Sequence, residues 1–285
     1  MATIFIQEML TYTKPPITPL VLSDEIQVAV LHEYANHPEI SGNKYWKLKY
    51  NLVEAKEKGY DTVLTFGGAY SNHIYATAAA AKVYGLKSIG VIRGEEVENK
   101  TLRFAKSCGM ELRFVARDVY RNKDTIIFPD SYYIIPEGGT NQLALKGVSE
   151  WATEILKIDF DDVYLPVGTG GTIAGIIKGF EGERRIIGVP VLKNTGFLEN
   201  DIKSLVNEEY SNWTLLNDYH HGGYAKTSKE LLEFCSAFMR IHNITIEPVY
   251  TGKLFFAVAD QLRSNLLLRD RKSLVIHTGG LQYLP

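Results

Sequence analysis

Lys44 is the residue of this chain most readily given a chemical task. It follows Ser41-Gly42-Asn43 and stands ahead of an amphipathic run in which Tyr45, Leu48, Leu52 and Ala55 recur at helical spacing. A lysine at a helix entrance feels the positive end of the dipole, which disfavours an ammonium and eases the holding of a neutral amine or imine. That is a workable position for a Schiff-base lysine. A solvated lysine beside Lys47 and Lys49 fits the same stretch. A second candidate is Gly168-Thr169-Gly170-Gly171-Thr172. Its glycines let backbone amides turn inward, and Thr169 and Thr172 add hydroxyl donors at a helix start, so the composition is that of a phosphate cup. No Gly-Lys-Ser/Thr follows, as a Walker loop would require, and Ile173 stands where the dinucleotide fingerprint has its last glycine. Nucleoside-triphosphate chemistry is thereby disfavoured. A tight strand-to-helix turn with glycines for packing alone is the competing reading.

Three more loops have related compositions: Gly67-Gly68-Ala69-Tyr70-Ser71-Asn72-His73, Gly138-Gly139-Thr140-Asn141 and His277-Thr278-Gly279-Gly280. Each follows an apolar stretch, and the first two lead into helices whose free amides can face an anion. The elements that position these loops alternate along the chain. Strands are predicted at 26–32, 62–66, 88–92, 111–115, 132–135, 163–166, 185–191 and 273–277. Helices are predicted after Lys44, from a Ser71 or Asn72 cap to near Gly85, over 100–108, from an Asn141 cap to Leu156, over 172–180, from a Ser228 cap to His242, and from Lys253 to about Asn265. Such alternation argues for an α/β fold with mostly parallel sheets flanked by helices, in which ligands bind at the carboxyl ends of strands.

Composition narrows the function classes. The 285 residues are 45% hydrophobic and 22% charged, with a net charge of -2, so no field gathers nucleic acid or an anionic membrane. Met1 to Leu10 carries Glu8 without a basic n-region, and no run of eighteen apolar residues occurs, which makes a cytoplasmic protein the expectation. Cys108 and Cys235 are isolated, and His220-His221 has no matched carboxylates nearby, so neither a disulfide framework nor a metal site is expected.

Taken in order, these motifs resemble the tryptophan-synthase-β-like (fold type II) family of pyridoxal-phosphate enzymes, in the branch of D-cysteine desulfhydrases and 1-aminocyclopropane-1-carboxylate deaminases. The residues that carry the resemblance are Gly42-Asn43-Lys44 with Lys47-Leu48, Ser71-Asn72-His73, Gly168 to Thr172, Pro248-Val249-Tyr250-Thr251-Gly252-Lys253, and His277 to Gly280, spread over nearly the whole chain. The resemblance implies pyridoxal 5'-phosphate as cofactor, bound through an imine to Lys44, which is then free to move protons. It implies that Asn72 bonds the ring hydroxyl and that Thr278 approaches the pyridine nitrogen. The cup of Gly168, Thr169, Gly170, Gly171 and Thr172 would take the phosphate, mainly through amides and hydroxyls rather than a cationic side chain. Ser71, with the amides around Asn72 and His73, would receive the substrate carboxylate. The catalytic set would be Lys44, Ser71, Tyr250 and Tyr224, the two tyrosines serving as acid/base groups.

In that branch, ring-opening deaminases tend to carry Glu after the Pro-Val-Tyr tyrosine and an apolar residue between His and Gly-Gly, whereas desulfhydrases carry Thr at both. Thr251 and Thr278 therefore imply β-elimination, with D-cysteine the leading substrate and pyruvate, ammonia and sulfide the products. Ring opening of 1-aminocyclopropane-1-carboxylate, and a cofactor-binding protein with little catalysis, are the alternatives. The expected architecture is two-domain α/β with the cofactor between a smaller domain, 48–140, and a larger one, 1–47 with 141–285. The resemblance also implies a homodimer acting on a small amino acid.

Overall fold

The computed structural model describes residues 10–22, 26–193, 195–264 and 270–283. Asn265, where the last predicted helix ends, and the segment from Met1 to Met9 lie outside the described residues.

Two sheets organise the chain. A four-stranded, wholly parallel sheet contains β3 (Thr62–Gly68), β4 (Lys87–Arg93), β5 (Met110–Val115) and β6 (Tyr132–Ile135), in the order β5-β4-β3-β6. The second sheet has six strands: β1 (Ile17–Pro19), β2 (Val28–Leu31), β7 (Asp162–Val167), β8 (Arg185–Pro190), β9 (Trp213–Leu215) and β10 (Ser273–Ile276), in the order β1-β2-β10-β7-β8-β9. It is parallel throughout except where β1 pairs antiparallel with β2 at one edge. The inner strands β3, β7 and β10 are buried almost end to end, as strands covered on both faces must be, which explains their unbroken apolar runs.

Helices cover these sheets: α1 (Asn43–Glu57), α2 (Asn72–Val83), α3 (Lys100–Ser107), α4 (Arg117–Arg121), α5 (Gln142–Ile155), α6 (Gly171–Phe180), α7 (Leu198–Val206), α8 (Lys229–His242) and α9 (Thr251–Arg263). Four begin on side-chain caps. Ser71 Oγ accepts from Ile74 N, Asn99 Oδ1 from Leu102 N, Asn141 Oδ1 from Ala144 N and Ser228 Oγ from Leu231 N. The caps at Ser71, Asn141 and Ser228 are those expected from the sequence. Helix α7 is not foreseen there: Phe197 stands at its N-cap without a side-chain bond, so no local start signal exists. The edge strands β1 and β9, three residues each, are likewise too short to show a pattern.

Helix α1 lies at the centre of the main core. Leu48 and Leu52 are fully buried among Leu145, Val148 and Trp151 of α5, and the rings of Trp46 and Trp151 stack at 6.3 Å. The backbones approach so closely that a Cβ on Gly147 would meet Trp46 O at 2.1 Å. The first residues of α1 are thus held against α5 and the start of α6, where the glycine-threonine loop lies.

Candidate active site

The turn before Lys44 is built from buried polar groups. Asn36 Oδ1 accepts from Gly42 N at 2.9 Å, and Asn36 Nδ2 donates to Gly42 O and to Glu33 Oε1. Glu33 Oε1 also accepts from Trp46 Nε1 at 2.8 Å. Glu33 and Asn36 are fully buried, so the network defines one geometry for the chain entering α1. Gly42 has φ +67°, and a Cβ there would meet Thr278 O at 1.9 Å. Only glycine lets the Lys44 turn and the loop after β10 lie this close. Lys44 Nζ donates to Gly138 O at 3.3 Å, and burial lowers its pKa to about 8.

Lys44 lines a cavity of about 380 Å³ at the carboxyl ends of the strands. Ser71, Asn72, His73, Gly168, Thr169, Gly170, Thr172, Tyr224, Tyr250 and Thr278 line the same cavity. Of the catalytic, cofactor-binding and substrate-binding residues expected from the sequence, Gly171 is off the wall, at the start of α6.

The cup differs from expectation in its charge. Lys47, one turn after Lys44, is buried, and its Nζ donates to Thr140 Oγ1 at 3.1 Å. A Cβ on Gly171 would meet that ammonium at 3.0 Å. Burial, and then the charge of Lys44, push Lys47 well below the usual lysine range. A lysine side chain, not among the cup groups expected from the sequence, therefore stands beside the amides and hydroxyls there. The signal was present in the sequence, because Lys44 and Lys47 are spaced i, i+3 and share a helix face. Around Lys47, Thr140 Oγ1 and Thr169 Oγ1 lie 2.7 Å apart, and Thr172 Oγ1 accepts from Asn43 Nδ2 at 2.8 Å.

At the start of α2, Ser71 Oγ serves as helix cap, and Asn72 Oδ1 accepts from Gln282 Nε2. His73 is buried. Its Nε2 is bonded to Thr65 Oγ1 at 2.7 Å. Burial, followed by the charges of Lys44 and Lys47, holds the ring well below the ordinary histidine pKa, so it is neutral at pH 7.

The two tyrosines meet edge to face, ring centroids 5.9 Å apart, although 25 residues separate them along the chain. Burial raises both phenols, Tyr250 well above its usual value. Glu247, not singled out from the sequence, positions Tyr250. Its fully buried carboxylate accepts from the amides of Val249, Tyr250 and Thr251 at the start of α9. An anion at a helix N-terminus satisfies amides that would otherwise be unpaired and complements the dipole. Thr251 is fully buried and absent from the cavity wall, whereas Thr278 reaches it. His277, before Thr278, is locked by an Nε2 bond to Thr245 O at 2.7 Å, with Nδ1 accepting from Gly279 N.

These residues fit pyridoxal phosphate. A buried lysine amine with no carboxylate partner among the described residues stands at a helix N-terminus rich in hydroxyls, which suits a phosphate whose own charge would favour the ammonium form. A second lysine, already low in pKa, opens into the same cavity, which suits imine formation with an aldehyde.

Similarity to known proteins agrees with this chemistry. Residues 13–279 match the model of a family described as pyridoxal-phosphate dependent enzyme. A protein of Thermotoga maritima, provisionally named a 1-aminocyclopropane-1-carboxylate deaminase, is 35% identical over 267 residues, covering 85% of this chain and 84% of the relative. A mitochondrial protein of Arabidopsis thaliana named bifunctional D-cysteine desulfhydrase/1-aminocyclopropane-1-carboxylate deaminase is 28% identical over 278 residues, covering 85% of this chain and 69% of the relative. A crystal structure described as an ACC deaminase homologue superposes with a TM-score of 0.83 at 29% identity, covering 96% of this chain and 91% of its own. With the family model spanning nearly the whole chain and the cavity built to match, the protein belongs to the pyridoxal-phosphate dependent enzymes.

Proposed function

We propose that the chain is a lyase that eliminates the β-substituent of a small amino acid, with D-cysteine the leading substrate and pyruvate, ammonia and sulfide the products. The observation that carries this reading is the presence of Lys44, Ser71, Tyr224 and Tyr250 on the cavity that also contains the Lys47 cup. When bound, the cofactor supplies an electron-withdrawing ring that eases loss of the α-proton. Lys44, its amine made less basic by burial, is suited to move that proton. Ser71 and the free amides at the start of α2 receive the carboxylate, with neutral His73 behind them. Asn72 meets the ring hydroxyl. Tyr250 is kept protonated by burial and is suited to protonate the leaving sulfur, with Tyr224 as its neighbour. Thr278 faces the ring nitrogen with a hydroxyl, which does not impose a full positive charge on the ring.

Ring-opening deamination of 1-aminocyclopropane-1-carboxylate is the second reading, supported by the names of the Thermotoga and Arabidopsis relatives. The division into a smaller domain, 48–140, and a larger one is part of the same proposal, and the membership of the two sheets supports it. A homodimer and a cytoplasmic location rest on the family resemblance and on composition; sedimentation of the loaded protein tests the first.

The deciding experiment incubates the cofactor-loaded protein with D-cysteine, L-cysteine and 1-aminocyclopropane-1-carboxylate in parallel. Pyruvate and sulfide from D-cysteine alone support elimination. 2-Oxobutanoate from the cyclopropane substrate transfers the assignment to the second reading, and silence with all three moves it to another substrate or to a cofactor-binding role with little catalysis.

A further inference from the structure

Lys253, the third residue of α9, is fully buried and forms no ion pair among the described residues. Its Nζ donates instead to Gly223 O at 2.8 Å and Val191 O at 3.4 Å. The residues that follow these two carbonyls, Leu192 and Tyr224, both line the cavity, while Lys253 does not. Burial lowers the Lys253 ammonium to about 8, against the opposing charge of Glu247. A cation enclosed with carbonyl acceptors alone is costly and persists where its bonds hold something in place.

What it holds is a strained loop. His221, Gly222, Gly223 and Ala225 all have positive φ, at 46°, 95°, 110° and 55°. Two of them carry side chains that disfavour this region, so the conformation survives only if its surroundings over-determine it. His221 Nδ1 shares a hydrogen bond with Ser228 Oγ, Gly222 N donates to His220 Nδ1, and the His221 ring meets Phe256 edge-on. These ties grip the beginning of the loop. The bond from the protein interior that reaches the residue immediately before Tyr224 comes from Lys253.

We propose that Lys253 is a positioning residue, whose ammonium clamps Gly223 and so holds the 221–225 loop in the form that presents Tyr224 to Tyr250 at the cavity. Both tyrosines are then referenced to one helix start: Tyr250 as the N-cap residue of α9, Tyr224 through a side chain three residues further on. The functional part of this inference rests on Tyr224 facing the substrate.

Hydrogen exchange on the cofactor-loaded protein tests the clamp without any substrate. In Lys253→Met, which keeps volume and removes the donors, amides 222–226 are expected to exchange about ten-fold faster or more, while 171–180 are unaffected. Unchanged exchange across 222–226 in the folded variant overturns the proposal. If that variant does not fold, Gly223→Pro serves, because proline is excluded from a φ near +110° and breaks the loop from its other side. The slowly exchanging ammonium signal expected for Lys253 in the wild type should then disappear, and its persistence overturns the clamp. Use of the clamp is read with D-cysteine in a cycle of Lys253→Met, Tyr224→Phe and the double variant. The expected result is a fall in kcat that is no greater in the double variant than in Tyr224→Phe, because both act through one hydroxyl. Losses that multiply overturn the link to Tyr224. If wild-type protein does not turn over D-cysteine, the substrate reading fails while the exchange result still decides the clamp.

Discussion

Thr251 Oγ1 donates to Glu247 Oε1 at 3.1 Å, and both residues are fully buried. Of the two threonines expected from the family resemblance to mark elimination, Thr251 therefore faces a carboxylate inside the start of α9, whereas Thr278 stands on the cavity wall.

Substitution at the two threonines should separate accordingly. Thr251→Glu places a second carboxylate against Glu247 in a site closed to water and is expected to destabilise the fold by roughly 3–5 kcal/mol. Urea unfolding measures this, and wild-type stability would mean the site relaxes. Thr278→Leu should fold normally and change the ratio of sulfide to 2-oxobutanoate formation. An unaltered ratio removes Thr278 from the choice of reaction.

Lys47→Met should weaken cofactor binding by about 10- to 100-fold, the loss of one charge-assisted contact of roughly 1.4–2.8 kcal/mol. Pyridoxal without its phosphate should bind the variant and the wild type alike. Equal weakening for both ligands would point to a general disturbance of α1.

Lys44 is pushed down to about 8 by burial. In cofactor-free protein, a large share of its amine is therefore neutral at pH 8, against well under 1% for a lysine near the usual 10.4. Reductive methylation of Lys44 should show a half-point near 8, and a half-point near 10 would contradict an enclosed amine. Lys44→Ala should bind no cofactor with the visible band of the lysine adduct. A retained band would assign the adduct to another lysine.

Glu33 is raised from 4.5 to about 7 by burial, against the opposing effect of its bonds from Trp46 and Asn36. Because the folded pKa lies above the unfolded one, its contribution to stability is fully present below about 4.5 and is lost as pH rises through about 7. The loss is on the order of 3 kcal/mol at pH 8. Glu33→Gln keeps an acceptor for Trp46 and Asn36 and removes the titration, so its unfolding free energy should fall less than that of the wild type between pH 5 and 8. Parallel pH profiles would show that Glu33 does not titrate in this range.

The local chemistry of the chain is legible without a structure because its signals act over a few residues. Ser71, Asn141 and Ser228 announce helix starts through side-chain bonds to amides three residues on, and the glycine-threonine loop announces a tight turn into a helix through its own backbone. The alternation of apolar runs with helical periodicity likewise leads to parallel sheets, since each strand must be covered on both faces. Burial and convergence are of another kind, because they depend on residues far apart in the chain. Lys47 reads as one of several surface lysines until packing against α5 and α6 removes it from water, with no carboxylate partner among the described residues. Glu33 and Glu247 read as ordinary acids until the fold encloses them beside the turns that carry Lys44 and Tyr250. Tyr224 is one of 17 tyrosines and meets Tyr250 only because a strained loop is drawn onto α9. Desolvation is a property of the assembled interior, and no window of sequence contains it.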